Sequence, residues 1–213
     1  NIMANWGGGV QSREEQREMK RMAILRAAAQ SFNTVGYHQT NLNDIAESLG
    51  VTKPALYRYI KSKEDILRQC LDIALKEIKT AIDDINTYQL STERTGVEQL
   101  ERFFYRFAVM STDDFGACLI LLRGSISDEV FLEQYRNVAK DISTAMEKIV
   151  RLGLQDGTIK TKSARLLVAA MLGALNEAVY WNKKEGRMSP EELSAKYFDI
   201  FVEGFNQDTS FSL

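Results

Sequence analysis

The stretch LGVTKPALYRYIKSKEDIL, residues 49–67, places two helix starts within a dozen residues. A proline in the first helical turn removes an N–H group that has no partner there and fixes a helical φ angle, so Pro54 predicts a helix that opens at Thr52. Ser62 and Asp65 have the spacing of a capping box, which predicts that another helix begins almost at once. The stretch therefore predicts two helices joined by a very short turn.

Two more helices are predicted before this stretch. The first covers about residues 13–35, because Ser12 and Glu15 have capping-box spacing at its start and Gly36 follows its end. A short second helix ends at Gly50. Apolar residues recur at helical spacing on the inner faces of both: Leu25, Ala28, Ala29 and Phe32 on the first, and Leu42, Ile45, Ala46 and Leu49 on the second.

The rest of the chain is also predicted to be helical, since apolar residues recur at three and four positions and the sequence has only two prolines. Long helices are predicted at 63–88, 96–110, 115–123, 128–154, 163–184 and 190–205. The fold class is therefore all-α, with a three-helix domain at 12–68 and a helical domain at 69–213. We interpret residues 1–11, with three consecutive glycines and no periodicity, as a disordered arm or an expression remnant.

Charge and hydropathy favour a soluble protein with one basic surface. The net charge is −2, yet residues 11–68 carry ten Lys or Arg against seven Asp or Glu. A local basic face can bind an anionic polymer while the remainder stays acidic. No apolar run approaches the roughly 20 residues that cross a membrane, and no signal-peptide pattern begins the chain, so we expect a cytoplasmic protein without a membrane partner. Cys70 and Cys118 lie in apolar helical patterns and are interpreted as reduced and buried.

The second and third helices, with their glycine-containing turn, have the helix-turn-helix arrangement, in which the later helix enters the major groove of DNA. Val51, Leu56 and Ile60 are its expected core positions. A solvated helix face is the alternative interpretation, but the turn, the caps and the local positive charge together favour DNA. The residues expected to face outward are Thr52, Lys53, Ala55, Tyr57, Arg58 and Tyr59.

The segment AILRAAAQSFNTVGYHQTNLNDIAESLGVTKPALYRYIKSKEDIL, residues 23–67, resembles the DNA-binding domain of TetR-type transcriptional repressors. Ile60 stands where that family usually has phenylalanine. The resemblance implies phosphate contacts from Thr40, Tyr57, Tyr59 and Lys63, and base contacts from Thr52, Lys53 and Ala55. Thr40 and Lys63 also precede or open helices, where free N–H groups attract phosphate. The only histidine, His38, is interpreted as a solvated turn residue.

One recognition helix contacts few bases, so such modules work as two-fold dimers on a palindromic double-stranded DNA operator. The last two helices have broad apolar faces, and the resemblance implies that they form a four-helix bundle between two copies of the chain. Packing within the subunit's own core is the alternative role. The predicted interface residues are Leu167, Met171, Ala174, Ala178, Phe198, Phe201 and Phe205.

The middle helices are rich in aromatic and flexible apolar residues, which suit a pocket for a hydrophobic small molecule, although ordinary core is the default for any one of them. The predicted ligand residues are Phe103, Phe107, Leu121, Leu122, Met146, Ile149, Asn176 and Tyr180, with the fourth helix as a further wall and Asn176 as the polar anchor. Residues 166–205 are similar to the ligand domain of TetR-type regulators of fatty-acid and sterol catabolism. That similarity implies an acyl-CoA or fatty-acid effector. Repression controlled by aromatic or cationic drugs is the alternative.

An enzyme and a bundle that binds only other proteins are the rival classes. The chain has one histidine, no Gly-rich phosphate loop, no metal-ligand spacing and no serine elbow. We therefore assign no catalytic residue, metal or cofactor. Both rivals predict no salt-sensitive binding to DNA.

Overall fold

The computed structural model describes residues 12–88, 94–182 and 188–204, and the backbone alone for 85–88. These residues form helices and no strand, which confirms the all-α prediction. The helices are α1 (Arg13–Val35), α2 (Leu42–Ser48), α3 (Lys53–Leu56), α4 (Lys63–Tyr88), α5 (Gly96–Thr112), α6 (Asp114–Leu122), α7 (Glu129–Gln155), α8 (Ala164–Trp181) and α9 (Pro190–Glu203), with a 3₁₀ turn (Arg123–Ser125) after α6. The predicted arm, 1–11, and Phe205 lie outside the described residues.

Local capping chemistry sets the first helix boundaries. The backbone N–H of Glu15 donates to Ser12 Oγ at 3.1 Å, and the Ser12 N–H donates to the Glu15 carboxylate at 2.8 Å, so the predicted capping box is present. Gly36 follows α1 with a φ of +92°, a conformation that favours glycine. Pro54 lies in the first turn of α3 as predicted.

The third helix is shorter than its sequence predicts. α3 has one turn, Lys53–Leu56, and the chain continues to Ile60 as hydrogen-bonded turns, in which the N–H groups of Tyr59 and Ile60 both donate to Leu56 O. At the start of α4, Ser62 Oγ accepts from the Asp65 N–H, but the Asp65 carboxylate accepts from the N–H of Lys61. The predicted capping box is therefore displaced by one residue.

The chain divides into two compact units, with the boundary between Cys70 and Leu71. The core of the first unit contains the predicted inner faces of α1 and α2, together with Leu56, Ile60 and the first turns of α4. Leu49 is half-buried and Val51 is 43% exposed. Val51 is thus not a core residue, because it lies in the turn before α3.

The second unit is built around α5, which packs against α6, α7, α8 and α9. Phe104 is fully buried at its centre, and its ring contacts those of Phe198 and Phe201 from α9. The Arg106 guanidinium donates to the Asp84 carboxylate at 2.9 Å, which joins α5 to α4.

The start of α5 lies directly against the end of α7. A Cβ atom on Gly96 would lie 2.1 Å from the backbone nitrogen of Gly153, so only glycine fits there. The Asp156 carboxylate accepts from the Gly96 N–H at 2.7 Å and from the Thr158 hydroxyl at 2.6 Å. These hydrogen bonds hold the pKa of Asp156 below its ordinary value, the Thr158 hydroxyl most strongly.

Three sequence-level expectations can be compared with the rest of the described chain. Cys70 and Cys118 are buried and are not joined in a disulfide among the described residues, as predicted. No helix in the described ranges is long and apolar enough to cross a membrane. The same residues contain no group of three or more His, Cys, Asp or Glu side chains that could hold a metal ion.

Candidate DNA-binding and effector sites

The predicted DNA-reading face is held outward by the turn between α2 and α3. Gly50 has a φ of +65°, and the Val51 N–H donates back to Ala46 O at 2.9 Å, which closes this turn tightly. Leu56 is fully buried and anchors α3 to the first unit. The residues around it face solvent to different degrees: Thr52, Lys53, Tyr57 and Arg58 are exposed, whereas Ala55 and Tyr59 are half-buried. Two long basic side chains, Lys53 and Arg58, and the Tyr57 phenol thus project from α3 and the turns that follow it.

Lys63 has a structural role that the sequence reasoning missed. Its ammonium group donates to Thr40 O at 2.9 Å and to His38 O at 3.2 Å, and lies 4.7 Å from the centre of the Tyr37 ring. The lysine thereby ties the turn after α1 to the start of α4. A lysine carries three donor protons, so one remains for the predicted phosphate contact.

Thr40 lies deeper than a direct phosphate contact requires. Its side chain is 5% exposed, its hydroxyl donates to Gly36 O at 2.9 Å, and it lies 3.0 Å from Ser31 Oγ. The N-cap of α2 is Asn41, whose side chain accepts from the Asn43 N–H. The Thr40 N–H also donates to Gly36 O, at 3.1 Å, so a phosphate contact from Thr40 stays a prediction that requires one of these hydrogen bonds to be exchanged. His38 is exposed, as expected of a turn residue.

The first turn of α4 carries an ionised acid beside Lys63. Hydrogen bonds from its own backbone N–H and from the Ser62 hydroxyl hold the pKa of Glu64 below its ordinary value. Burial raises the pKa of Tyr37, and the nearby Glu64 carboxylate raises it further. Tyr37 therefore stays a neutral phenol, and the acid is placed favourably at a helix N-terminus.

The second unit contains a cavity of about 140 Å³ between α4, α5, α6, α7 and α8. Gly116 and Met110 meet on its wall, where a Cβ on Gly116 would lie 1.8 Å from the Met110 carbonyl oxygen. The lining is mostly apolar: Ala74, Leu75, Ile78, Phe107, Met110, Gly116, Leu119, Ile120, Tyr135, Val138, Ala139, Ile142 and Leu172, with Glu77, Ser111, Ser143 and Asn176 as its polar members.

The polar lining groups differ in availability. Ser111 and Ser143 donate to the carbonyl oxygens of Ala108 and Ala139 on their own helices. The half-buried amide of Asn176 makes no hydrogen bond to protein within the described ranges. Asn176 is therefore the cavity-lining group best able to bind a polar atom of a ligand.

Only Phe107 and Asn176, of the eight predicted ligand residues, line this cavity. Phe103, Met146 and Ile149 are buried in the core, and Leu121 and Leu122 are half-buried in the last turn of α6. Tyr180 is 48% exposed, with its hydroxyl 3.5 Å from Ile120 O. These six residues lie outside the lining of this cavity, and their role in ligand binding stays a prediction. The fourth helix, named from the sequence as a wall, does line this cavity, but its individual lining residues and those of α7 were not singled out.

The predicted dimer residues point mostly into their own subunit. Met171, Ala178 and Phe198 are 0%, 0% and 7% exposed, so the subunit core occupies them and no partner can reach them. Leu167, Ala174 and Phe201 are half-buried. For Leu167, Ala174 and Phe201 the interface role stays a prediction, and the most accessible residues of α8 and α9 lie at other positions on these helices. The exposed stripe consists of Leu166, Ala169, Ala170, Gly173 and Tyr180 on α8 and Ile200 and Val202 on α9.

Family comparison covers both units. Residues 24–70 match the family described as bacterial regulatory proteins, tetR family, and residues 93–205 match the tetracyclin repressor-like C-terminal domain. The chain belongs to the TetR family. TetR proteins are DNA-binding transcriptional regulators, so the enzyme alternative is excluded. The first match contains all eight predicted DNA contacts, and the second contains the predicted ligand and dimer residues.

This TetR member is similar to the following three proteins over most of its length. The fatty acid metabolism regulator protein of Bacillus subtilis is 24% identical over 195 residues, covering 90% of this chain and 98% of the relative. The TetR regulator PfmR from Thermus thermophilus is 28% identical, with a TM-score of 0.71 over 86% of this chain and 99% of that one. AibR, solved with isovaleryl coenzyme A and operator DNA, is 19% identical, with a TM-score of 0.68 over 86% and 98%.

Proposed function

We propose that the protein is a repressor that binds a palindromic operator as a cytoplasmic homodimer and leaves it when a hydrophobic effector, an acyl-CoA or a fatty acid, binds. The observation that carries this proposal is the mostly apolar cavity, with the Asn176 amide in its wall, in a chain that also exposes Lys53 and Arg58 on a helix-turn-helix. The fatty-acid regulator from B. subtilis and the isovaleryl-CoA complex of AibR support the effector class.

The cavity chemistry suits an acyl group with a polar end. Its apolar walls match a hydrocarbon chain, and Asn176 can donate to a thioester or carboxyl oxygen. A cavity of about 150 Å³ holds a group of benzene's size, so a longer chain requires the walls to part. A ligand that binds only the parted state shifts the protein toward it. Since α4 supplies part of the wall and begins at Lys63, its movement is the proposed route to the DNA-reading residues.

The exposed stripe on α8 and α9 is the proposed dimer surface. Ala170 and Gly173 are small, which permits two helices to approach closely, and Leu166 and Ile200 add exposed apolar area at 70% and 57% exposure. A charged residue in this stripe would be buried without a partner on association. Ala170→Glu should therefore yield monomers in analytical ultracentrifugation. The control is Thr144→Glu, the same charge change on an exposed position of α7, which should leave the dimer intact.

The test of the whole proposal uses the protein and a duplex from its own promoter region. Acyl-CoAs of increasing chain length are titrated against the protein–DNA complex, and release is followed by fluorescence anisotropy. We expect release by some chain lengths and none by coenzyme A alone. Failure of every acyl-CoA and fatty acid to release DNA would contradict the acyl effector.

A multidrug-responsive repressor is the second candidate, and Glu77 favours it. This acid is exposed and lines the cavity, so its carboxylate can attract a cationic ligand. Release of DNA by a planar aromatic cation, together with no release by acyl compounds, would establish this alternative.

A further inference from the structure

A cation stands directly against the cavity wall without lining the cavity itself. Arg123 follows the last residue of α6 and is half-buried. Its Nη1 donates to Ile120 O at 2.7 Å, and its guanidinium carbon lies 5.6 Å from the centre of the Tyr135 ring. Ile120 and Tyr135 both line the cavity, from α6 and α7. The guanidinium therefore contacts the wall where these two helices meet.

Among the described residues, most of the hydrogen-bonding capacity of Arg123 is unused. A guanidinium has five N–H donors, and the bond to Ile120 O occupies one of them. No carboxylate pairs with Arg123 within residues 12–88, 94–182 and 188–204. A half-buried cation that lacks a counter-ion has lost hydration without gaining a charged partner. An anionic ligand group would supply that partner, and the planar fork of arginine matches a carboxylate or a phosphate.

We propose that Arg123 binds the anionic group of the effector, a carboxylate or a phosphate, while the apolar part of that molecule enters the cavity past Ile120 and Tyr135. This inference rests on the proposed function and adds to it the residue that selects charge. Stabilisation of the α6 C-terminus by the same side chain is the competing role, because a cation there satisfies a terminal carbonyl and the helix dipole.

Glu77 lines another wall of the cavity and carries the opposite charge to Arg123. The two residues should therefore have opposite effects on the affinity for an anionic effector. Glu77 lies on α4, whereas Arg123 follows α6, so the two charges belong to different elements. An anionic effector gains from Arg123 and is opposed by Glu77. Glu77→Gln should therefore leave the affinity for an anion unchanged or raise it, whereas Arg123→Gln should lower it.

The test measures binding of three six-carbon probes by calorimetry: hexanoyl-CoA, hexanoate and methyl hexanoate. The wild-type chain is compared with Arg123→Gln and with Arg136→Gln, a control that removes an exposed α7 cation lying 3.7 Å from Glu129. We expect Arg123→Gln to weaken the anionic probes about tenfold, the loss for one charge-assisted contact at a half-exposed site, and to leave the neutral ester unaffected. Loss with hexanoyl-CoA alone identifies phosphate as the bound group, and loss with hexanoate identifies carboxylate.

The outcomes distinguish failure of the Arg123 contact from failure of the proposed acyl effector. Equal binding of both anionic probes by the wild type and Arg123→Gln overturns the anchor and leaves the acyl effector standing. Equal weakening of the anionic probes and the ester also overturns it, because it shows that Arg123 only shapes the end of α6. If the wild type binds none of the three probes, the six-carbon acyl effector fails, and the anchor fails with it. Arg123→Lys, which keeps the charge, should recover part of the anion affinity if the anchor is correct.

Discussion

Replacing Lys63 by methionine separates the two roles of this residue. Methionine keeps an apolar stem of similar length but removes the ammonium bonds to Thr40 O and His38 O and the contact with the Tyr37 ring. Hydrogen bonds to charged groups contribute about 1.5–3 kcal/mol each when buried, and this half-exposed pair belongs at or below the low end. With about 0.5 kcal/mol from the ring, we expect a loss of about 2–3 kcal/mol.

The assay is urea unfolding followed by circular dichroism. With an m value of about 1–3 kcal/mol/M, the expected loss lowers the unfolding midpoint by about 0.7–3 M. Lys53→Met is the matched control, because Lys53 is exposed and its ammonium group makes no hydrogen bond or ion pair among the described residues. An unchanged midpoint for Lys63→Met would refute the structural role derived from these bonds.

The same two variants test the DNA contacts through salt dependence. Affinity for a non-specific duplex falls with salt in proportion to the number of phosphates that the protein neutralises. Each variant that removes one phosphate contact lowers the slope of log K against log salt by about 0.9. In buffer without urea, where the variant is folded, Lys63→Met should lower this slope by about 0.9. Lys53→Met should also relax base preference. Unchanged slopes in both variants would contradict the assignment of this face to DNA.

Two further predictions concern the junction of α5 and α7. Gly96→Ala should destabilise the protein by about 1–3 kcal/mol or more, because its Cβ meets a backbone nitrogen that cannot move aside, while Gly124→Ala, with open space around it, should be nearly neutral in the same urea assay. The folded-state pKa of Asp156 is lowered, so its stabilisation is present above the unfolded-state pKa and is lost as pH falls through the folded one. Asp156→Asn should therefore melt below the wild type at pH 7, with the gap closing below about pH 4; a gap that persists at pH 2 would contradict this reasoning.

Helix boundaries were readable from the sequence because capping residues act locally. Ser12 with Glu15, Gly36 and Pro54 each determine the conformation of their own turn, and α1 and α4 begin and end where predicted. Lys63 was readable only as a cation. Its bonds to Thr40 and His38 join residues more than twenty positions apart, which no local pattern encodes.

The inward face of α8 was not readable, because the helix is apolar on most of its circumference. Met171 and Ala178 belong to the core, and Leu166 and Ala170 belong to the surface. All four are apolar residue types that occur both in a core and on an interface, so their identity does not separate the two faces. The cavity lining had the same difficulty. Whether an apolar side chain such as Met146 fills the core or borders a void depends on gaps between helices, which arise only in the packed structure.

The contact between Gly116 and the Met110 carbonyl limits how evolution can retune this regulator to other effectors. No side chain can be added at Gly116 without displacing backbone, so that corner of the chamber keeps its size under mutation. Ala74, Ala139 and Ser143 are small residues on the α4 and α7 walls, where one substitution can shorten or reshape the accessible space. Diversification among descendants of this protein should therefore accumulate on α4 and α7, with the α5–α6 corner inherited unchanged.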